Sequence, residues 1–188
     1  MESGAEWPKA LTPAQVAKCE AYLQHASRWF DSYQRLDGIL EAKLPREVFY
    51  ACLGHEWSIC DNIAAGGLKL SLWLAMATRR QLNLMMTDNE LAEWQKLPAS
   101  ITAYRFGYDN NLIGFSYSLE MEVAKDFSTY SRYQQSDNHG GKFIATVLIP
   151  KRYSVLKLDR SEHEIIATRL DAIVRLATLP LAVNQDAS

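Results

Sequence analysis

Residues 98–118 read PASITAYRFGYDNNLIGFSYS, and the chain changes character across them. Ile101 to Arg105 and Ile113 to Ser118 are rich in β-branched and aromatic residues, which favour extended backbone. Between them, Gly107-Tyr108-Asp109-Asn110-Asn111 supplies the Gly, Asp and Asn that tight turns require. Two strands joined by a turn are therefore expected.

Downstream of this hairpin the pattern alternates between periods. Leu119 to Tyr133 reads as a helix, with Met121, Ala124 and Phe127 along one side. Asn138-His139-Gly140-Gly141 reads as a turn, and Lys142 to Ile149 as a one-sided strand in which Phe143, Ala145, Val147 and Ile149 alternate. Pro150 ends that strand. Ser154 to Leu158 and Ile165-Ile166-Ala167 are two further short strands, Leu170 to Leu181 is a strand or a short helix, and residues 184–188 are a tail.

Upstream the periodicity is helical. Thr12-Pro13 combines a capping hydroxyl with a residue already set for a first turn, and Val16, Cys19, Leu23 and Ala26 recur at helical spacing. This helix is expected to run near Trp29, Phe30 and Tyr33 and to break around Asp37-Gly38. A second stretch follows Leu44-Pro45 with Val48, Phe49, Cys52 and Leu53, reaching Ile59 past an interruption at Gly54. Gly66-Gly67 closes it, and helices are expected from Leu68 through Ala77 and from Thr87 or Asp88 to Gln95. The division predicted is a helical region over 1–97 and a strand-rich core over 98–188, together an α+β chain.

The 188 residues are 48% hydrophobic and 22% charged, an ordinary globular balance with length enough to bury a core. A formal net charge of −2 offers no basic surplus for phosphate backbones, which argues against a nucleic-acid partner. Cys19, Cys52 and Cys60 are odd in number and set in apolar helical contexts, as reduced packing residues are, and this favours a cytoplasmic location. The N-terminal run lacks the basic-then-apolar design of a secretory signal, and no apolar run approaches the ~20 residues that span a bilayer. His139 and His163 lack metal-ligand spacing, so no metal site is assigned. There is no G-x-S-x-G elbow, phosphate loop or Cys-x-x-Cys pair.

Three segments at the edges of expected strands carry chemistry: Tyr104-Arg105-Phe106-Gly107, Gly114-Phe115-Ser116-Tyr117-Ser118 and Arg160-Ser161-Glu162-His163-Glu164. A guanidinium presents planar paired donors to phosphate or ribose oxygens. A carboxylate stabilises positive charge developing at a sugar carbon. Read on their own, Arg105 is equally a surface ion-pair arginine, Phe106 a core aromatic, Ser118 a helix cap, and Glu162 with Glu164 a solvated acidic pair.

Taken in order, the three segments resemble the Arg, Ser, Glu-x-Glu class of the ADP-ribosyltransferase superfamily, of the small bacterial or phage type. The resemblance covers about Leu97 to Thr168 and extends weakly upstream through Trp57, Asp61 and Asn62; the helix with Ala124 and Phe127 matches the family's arrangement too. It implies a split antiparallel β-sheet core on which the N-terminal helical region packs, with NAD⁺ as co-substrate. It also implies that Arg105 holds the anionic half of NAD⁺, that the backbone at Phe106 and Gly107 meets the nicotinamide carboxamide, and that Phe127 lines the cleft.

By the same resemblance, Ser116 positions the catalytic carboxylate. Glu164 stabilises the oxocarbenium-like state, and Glu162 orients or deprotonates the acceptor. Where the family places Gly directly after the Arg, this chain has Phe106 and then Gly107. The implied activity is mono-ADP-ribosyl transfer to a side chain of an unidentified acceptor protein, arginine favoured, as in a toxin, an effector or a phage-encoded modifier. The alternatives are an NAD⁺ glycohydrolase and a catalytically silent protein-binding module of the same fold.

Overall fold

The structure, a computed structural model, describes residues 6–32, 34–60, 63, 67–108, 111–127, 141–158 and 163–181. The chain divides into two compact units, Met1–Leu97 with Val155–Lys157, and Pro98–Ser154 with Leu158–Ser188. The architecture is mixed, helices plus a six-stranded sheet.

The first unit holds α1 (Pro13–Trp29), α2 (Arg35–Glu41), α3 (Arg46–Glu56), α4 (Gly67–Ala75), α5 (Arg79–Asn83) and α6 (Asp88–Lys96). Three of these begin with a reciprocal capping box, Thr12 with Gln15, Thr78 with Gln81 and Thr87 with Glu90. Each box satisfies two backbone N–H groups that a helix start leaves without partners. The Thr78 box was not anticipated from the sequence; it begins a helix of only five residues, too short to show a periodic pattern.

Helix α3 is the centre of this unit. Val48 through Gly54 and Glu56 are buried, so it is covered nearly all round. The helix runs unbroken through Gly54, where the sequence suggested an interruption. A Cβ on Gly54 would lie 2.1 Å from the Met85 carbonyl oxygen, so the residue's smallness lets another backbone close on the helix. Gly38 behaves similarly. The expected break at Asp37-Gly38 falls earlier, between Trp29 and Arg35, and Gly38 lies inside α2 with the Phe30 ring where its Cβ would be. Close approach rather than helix ending explains both glycines.

Two ion pairs are sunk into this unit. Arg35 donates to both Glu56 oxygens at 3.0 and 2.7 Å. The Lys157 ammonium donates to Glu90 Oε2 at 2.9 Å and to the Met85 carbonyl at 3.3 Å, with both side chains of the pair buried. Glu90 Oε2 also accepts the Thr87 backbone N–H of the capping box.

The second unit is built on β1 (Ser100–Tyr108), β2 (Ser116–Ser118), β3 (Lys142–Pro150), β5 (Glu164–Ala167) and β6 (Val174–Pro180), with α7 (Met121–Asp126). β4 (Ser154–Lys157) completes the sheet order β4-β5-β2-β1-β3-β6. β1 pairs antiparallel with β3 along its whole length, from Ser100↔Pro150 to Tyr108↔Lys142. Its ladder with β2 has the single register position Tyr104↔Ser118. The sheet is therefore tightly zipped on one side of β1 and opens on the other.

Alternation places Ile101, Ala103, Ala145, Val147 and Ile149 on one face of this pair, all buried. The other face carries Phe106, Tyr108 and Ile144, which cluster with Ala124 of α7 and with Tyr104, Met121, Phe127 and Leu181 around them. Two expectations are refined here. Only Ser116–Ser118 of the 113–118 stretch is strand, and Leu170 to Leu181 divides into a short 3-10 turn, Leu170–Ala172, followed by β6. The helix expected to reach Tyr133 is described as far as Phe127; Tyr33, Gly66, residues 128–140 and the 184–188 tail lie outside the described residues. No helix among the described residues is long and apolar enough to cross a membrane.

Replacing Lys157 by Met strands the Glu90 carboxylate in the interior, and the expected cost is about 3–5 kcal/mol in urea unfolding. The double variant with Glu90→Gln should regain part of that loss, because no buried charge then lacks its partner.

Candidate functional site

Register brings the sequence-selected residues into one neighbourhood of the second unit. Tyr104 faces Ser118 across β1 and β2, and Ser118 faces Glu164 across β2 and β5. Direct cross-strand partners project to the same side of a sheet, so the three form a row, with Ser116 one step along β2 on that side. From there the Ser116 hydroxyl donates diagonally to Glu164 Oε1. A hydroxyl fixed on a carboxylate limits its rotation.

Arg105 enters from the other side of β1. Its guanidinium turns into the opening between β1 and β2, where Nη1 donates to the Ser116 carbonyl at 2.7 Å and Nε to the Asn111 carbonyl at 3.2 Å. Hydrogen bonds from a charged donor contribute about 1.5–3 kcal/mol each, enough to hold the 111–116 loop in register. Arg105 is half-buried, and through Ser116 its charge is one residue removed from the Glu164 carboxylate.

Three residues support this arrangement that the sequence did not single out for the site. A Cβ on Gly114 would lie 2.8 Å from Arg105 Cζ and Nη2, so any larger residue there has to displace the guanidinium from the loop. Buried Tyr117 presents its ring 5.8 Å from Arg105 Cζ, and its hydroxyl accepts the Gly114 N–H at 3.2 Å. Asn111 Oδ1 accepts the Tyr108 N–H at 2.7 Å, and the Asn111 N–H returns to the Tyr108 carbonyl at 2.9 Å. The visible sequence signal is Gly114, two residues before Ser116.

The remaining candidates divide. The Phe106 ring is buried against Tyr108 at 5.6 Å and 67°, in the cluster that Phe127 also borders, so its ring serves the core and its backbone lies in β1. Gly107 is likewise in β1, where a Cβ would lie 2.7 Å from Asn111 Oδ1; its bare Cα makes room for the turn. Ser118 accepts the Glu120 N–H at 3.0 Å just ahead of α7, and His163 accepts the Leu119 N–H through its carbonyl at 2.9 Å. The His163 imidazole is exposed, with Nδ1 3.2 Å from Glu120 Oε1. Glu162, with Arg160 and Ser161, lies outside the described residues, as do Asp61, Asn62 and His139.

Among the described residues no group of three or more His, Cys, Asp or Glu side chains is placed to hold a metal ion. No protein-family model, curated protein or solved structure matches the chain.

Burial pushes the Tyr117 phenol above its ordinary value of 10.0, against the opposing pull of the Gly114 N–H and the Arg105 charge. Burial raises Tyr22 and Tyr50 as well. A raised phenol pKa means the unfolded chain ionises first, so this stability is complete below pH 10.0 and is lost as pH climbs toward the folded values. Tyrosinate absorbance should therefore appear in two phases, with the late phase coinciding with loss of the far-ultraviolet circular dichroism signal. Tyr117→Phe should shrink the late phase. Gly114→Ala should cost about 1–3 kcal/mol by urea unfolding, because the methyl must displace the Arg105 guanidinium; an unchanged midpoint would mean that the loop does not rest on it.

Proposed function

We propose that this chain is a mono-ADP-ribosyltransferase, acting on NAD⁺ at the Arg105, Ser116 and Glu164 site. The observation that carries the reading is the Ser116 hydroxyl bound to the Glu164 carboxylate, with Arg105 anchored on the same Ser116 through its carbonyl. These three residues were selected from segments well apart in sequence, and they adjoin one another where the sheet opens. The sheet is one continuous six-stranded sheet, and a mixed architecture of helices and antiparallel strands is compatible with the fold that the resemblance implies.

The donor set suits the substrate. NAD⁺ carries an anionic diphosphate and a cationic nicotinamide riboside, so it calls for a fixed cation and a fixed anion close together. In the proposed reaction the C1′–N bond of the nicotinamide ribose breaks, and its electron pair leaves with nicotinamide. The Glu164 carboxylate stabilises the positive charge that develops on the ribose, and Ser116 keeps that carboxylate in place. The acceptor nucleophile forms the new bond to C1′ and releases its proton. An arginine side chain is the favoured acceptor, and Glu162 is its proposed positioning group.

Purified protein incubated with NAD⁺ should release nicotinamide. Glu164→Gln should lower that rate by about 10²–10³-fold, the scale on which one preorganised electrostatic group acts. Arg105→Lys should raise KM and lower kcat together, since it keeps the charge but loses the paired bonds that also hold Ser116 and, through it, Glu164. Intact-mass measurement of candidate acceptors distinguishes transfer, which adds one ADP-ribose, from hydrolysis, which adds none. Folded wild-type protein that releases no nicotinamide would leave the proposal without support and favour a silent binding module.

A further inference from the structure

Helices α1 and α2 each pack against α3, and between them they leave a groove of about 950 Å³ whose lining residues all belong to the helical unit. One wall is aromatic. His25 and Trp29 lie one turn apart on α1, and Phe30 caps that helix. The three rings support one another, with His25 edge-on to Phe30 at 5.7 Å and tilted against Trp29 at 6.5 Å. Phe30 is seated on α2 itself, because Gly38 leaves free the space where a Cβ would come within 2.5 Å of the ring. Trp29 is 64% exposed, a large ring kept in solvent at the groove.

The other wall supplies charge. Asp37 and Glu41 of α2 line the groove one helical turn apart, a spacing at which like charges repel. Among the described residues neither carboxylate takes part in a hydrogen bond or an ion pair. Lys18 is the one lysine or arginine in the lining, and it pairs with neither of them, so two carboxylates face one ammonium beside the rings. Ring faces and unpaired carboxylates attract the same ligand chemistry, a positive charge carried on an apolar body.

We propose that the groove between α1 and α2 binds a small organic cation, its charge held by Asp37, Glu41 and the Trp29 ring and its apolar body lying along Phe30 and Tyr22. Size selects a small molecule rather than a partner's helix. The volume lies in the range of pockets that enclose drug-sized ligands. The paired carboxylates span four residues of α2, and His25 to Trp29 span four of α1, about 6 Å of helix rise in each case. The anchors of a docked helix repeat over seven residues, about 10 Å. None of these residues belongs to the strands that carry Arg105, Ser116 and Glu164, so the inference stands independently of the proposed activity.

Isothermal titration calorimetry of the full chain with benzyltrimethylammonium tests it, with benzenesulfonate, an anion of comparable body, as the control. The cation should bind saturably and the sulfonate should not. Trp29→Ala should weaken the cation about fivefold or more, the scale of a cation–π contact. Asp37→Asn combined with Glu41→Gln should weaken it about tenfold, and Lys18→Gln, which removes the groove's own ammonium, should tighten it. All four positions are exposed, so each variant should keep the wild-type circular dichroism spectrum. A wild-type chain that does not bind the cation saturably, equal binding of benzenesulfonate, or an affinity indifferent to Trp29 and the two carboxylates would each overturn the proposal.

Discussion

The Arg105 guanidinium occupies the opening where β1 parts from β2, and the geometry of the candidate site rests on its two bonds there. β3 zips onto β1 along the full strand, whereas β2 meets it at Tyr104↔Ser118 alone. Without more backbone ladder on that side, side chains have to hold β2 and the loop before it. Arg105 does so by donating to the carbonyls of Ser116 and Asn111. The bond that fixes Ser116 also fixes the hydroxyl bound to Glu164, so a loop-closing contact sets the position of the carboxylate. Gly114 and Tyr117 belong to the same device, one by leaving room for the guanidinium and the other by lying beside it and receiving the loop's N–H.

In the helical unit, different physics performs the equivalent task. Three capping boxes define where helices start, and α3 is surrounded by the others. Two glycines allow contacts that any larger residue would block: Met85 backbone against Gly54 and the Phe30 ring against Gly38. The buried Lys157–Glu90 pair adds a constraint of another kind, because each charge is tolerable in the interior only while the other is present. The carboxylate that receives this lysine also completes the Thr87 cap, so the start of α6 and the buried charge depend on one side chain.

Particular residues show how far the sequence could be read. The alternation of Ala145, Val147 and Ile149 announced β3 and these residues are buried, but the strand is not one-sided: Ile144 on the opposite face is buried too, against Phe106 and Ala124, while Phe143 is only half-buried. Thr12-Pro13 and Thr87 announced their helices for a local reason, since a capping bond spans only three residues. Arg105, Ser116 and Glu164 were marked by the order in which their three segments occur, not by any one of them alone, and the strands bring them into one neighbourhood. Gly38 was misread because a glycine in a helical pattern looks the same whether it ends a helix or admits a distant ring. The 113–118 stretch was read too long as strand, because Gly114 is needed flat against a guanidinium that lies nine residues earlier. The Phe106 ring had two readings, and its place in the Tyr108, Ala124 and Ile144 cluster assigns it to the core.

What the sequence determined by itself was therefore the local order: helices before strands, the change at Leu97-Pro98, the caps and the period-2 alternation. Each of these follows from neighbours within a few positions, through dihedral preference, capping bonds and side-chain periodicity. Only the tertiary structure decided that β1 is zipped to β3 and open toward β2, that Arg105 bridges this opening, that Ser116 holds Glu164, and that Val155–Lys157 groups with the helical unit. Those outcomes depend on strand register and close approach between residues far apart in the chain, and a register shift of one residue would turn every side chain of a strand to the opposite face.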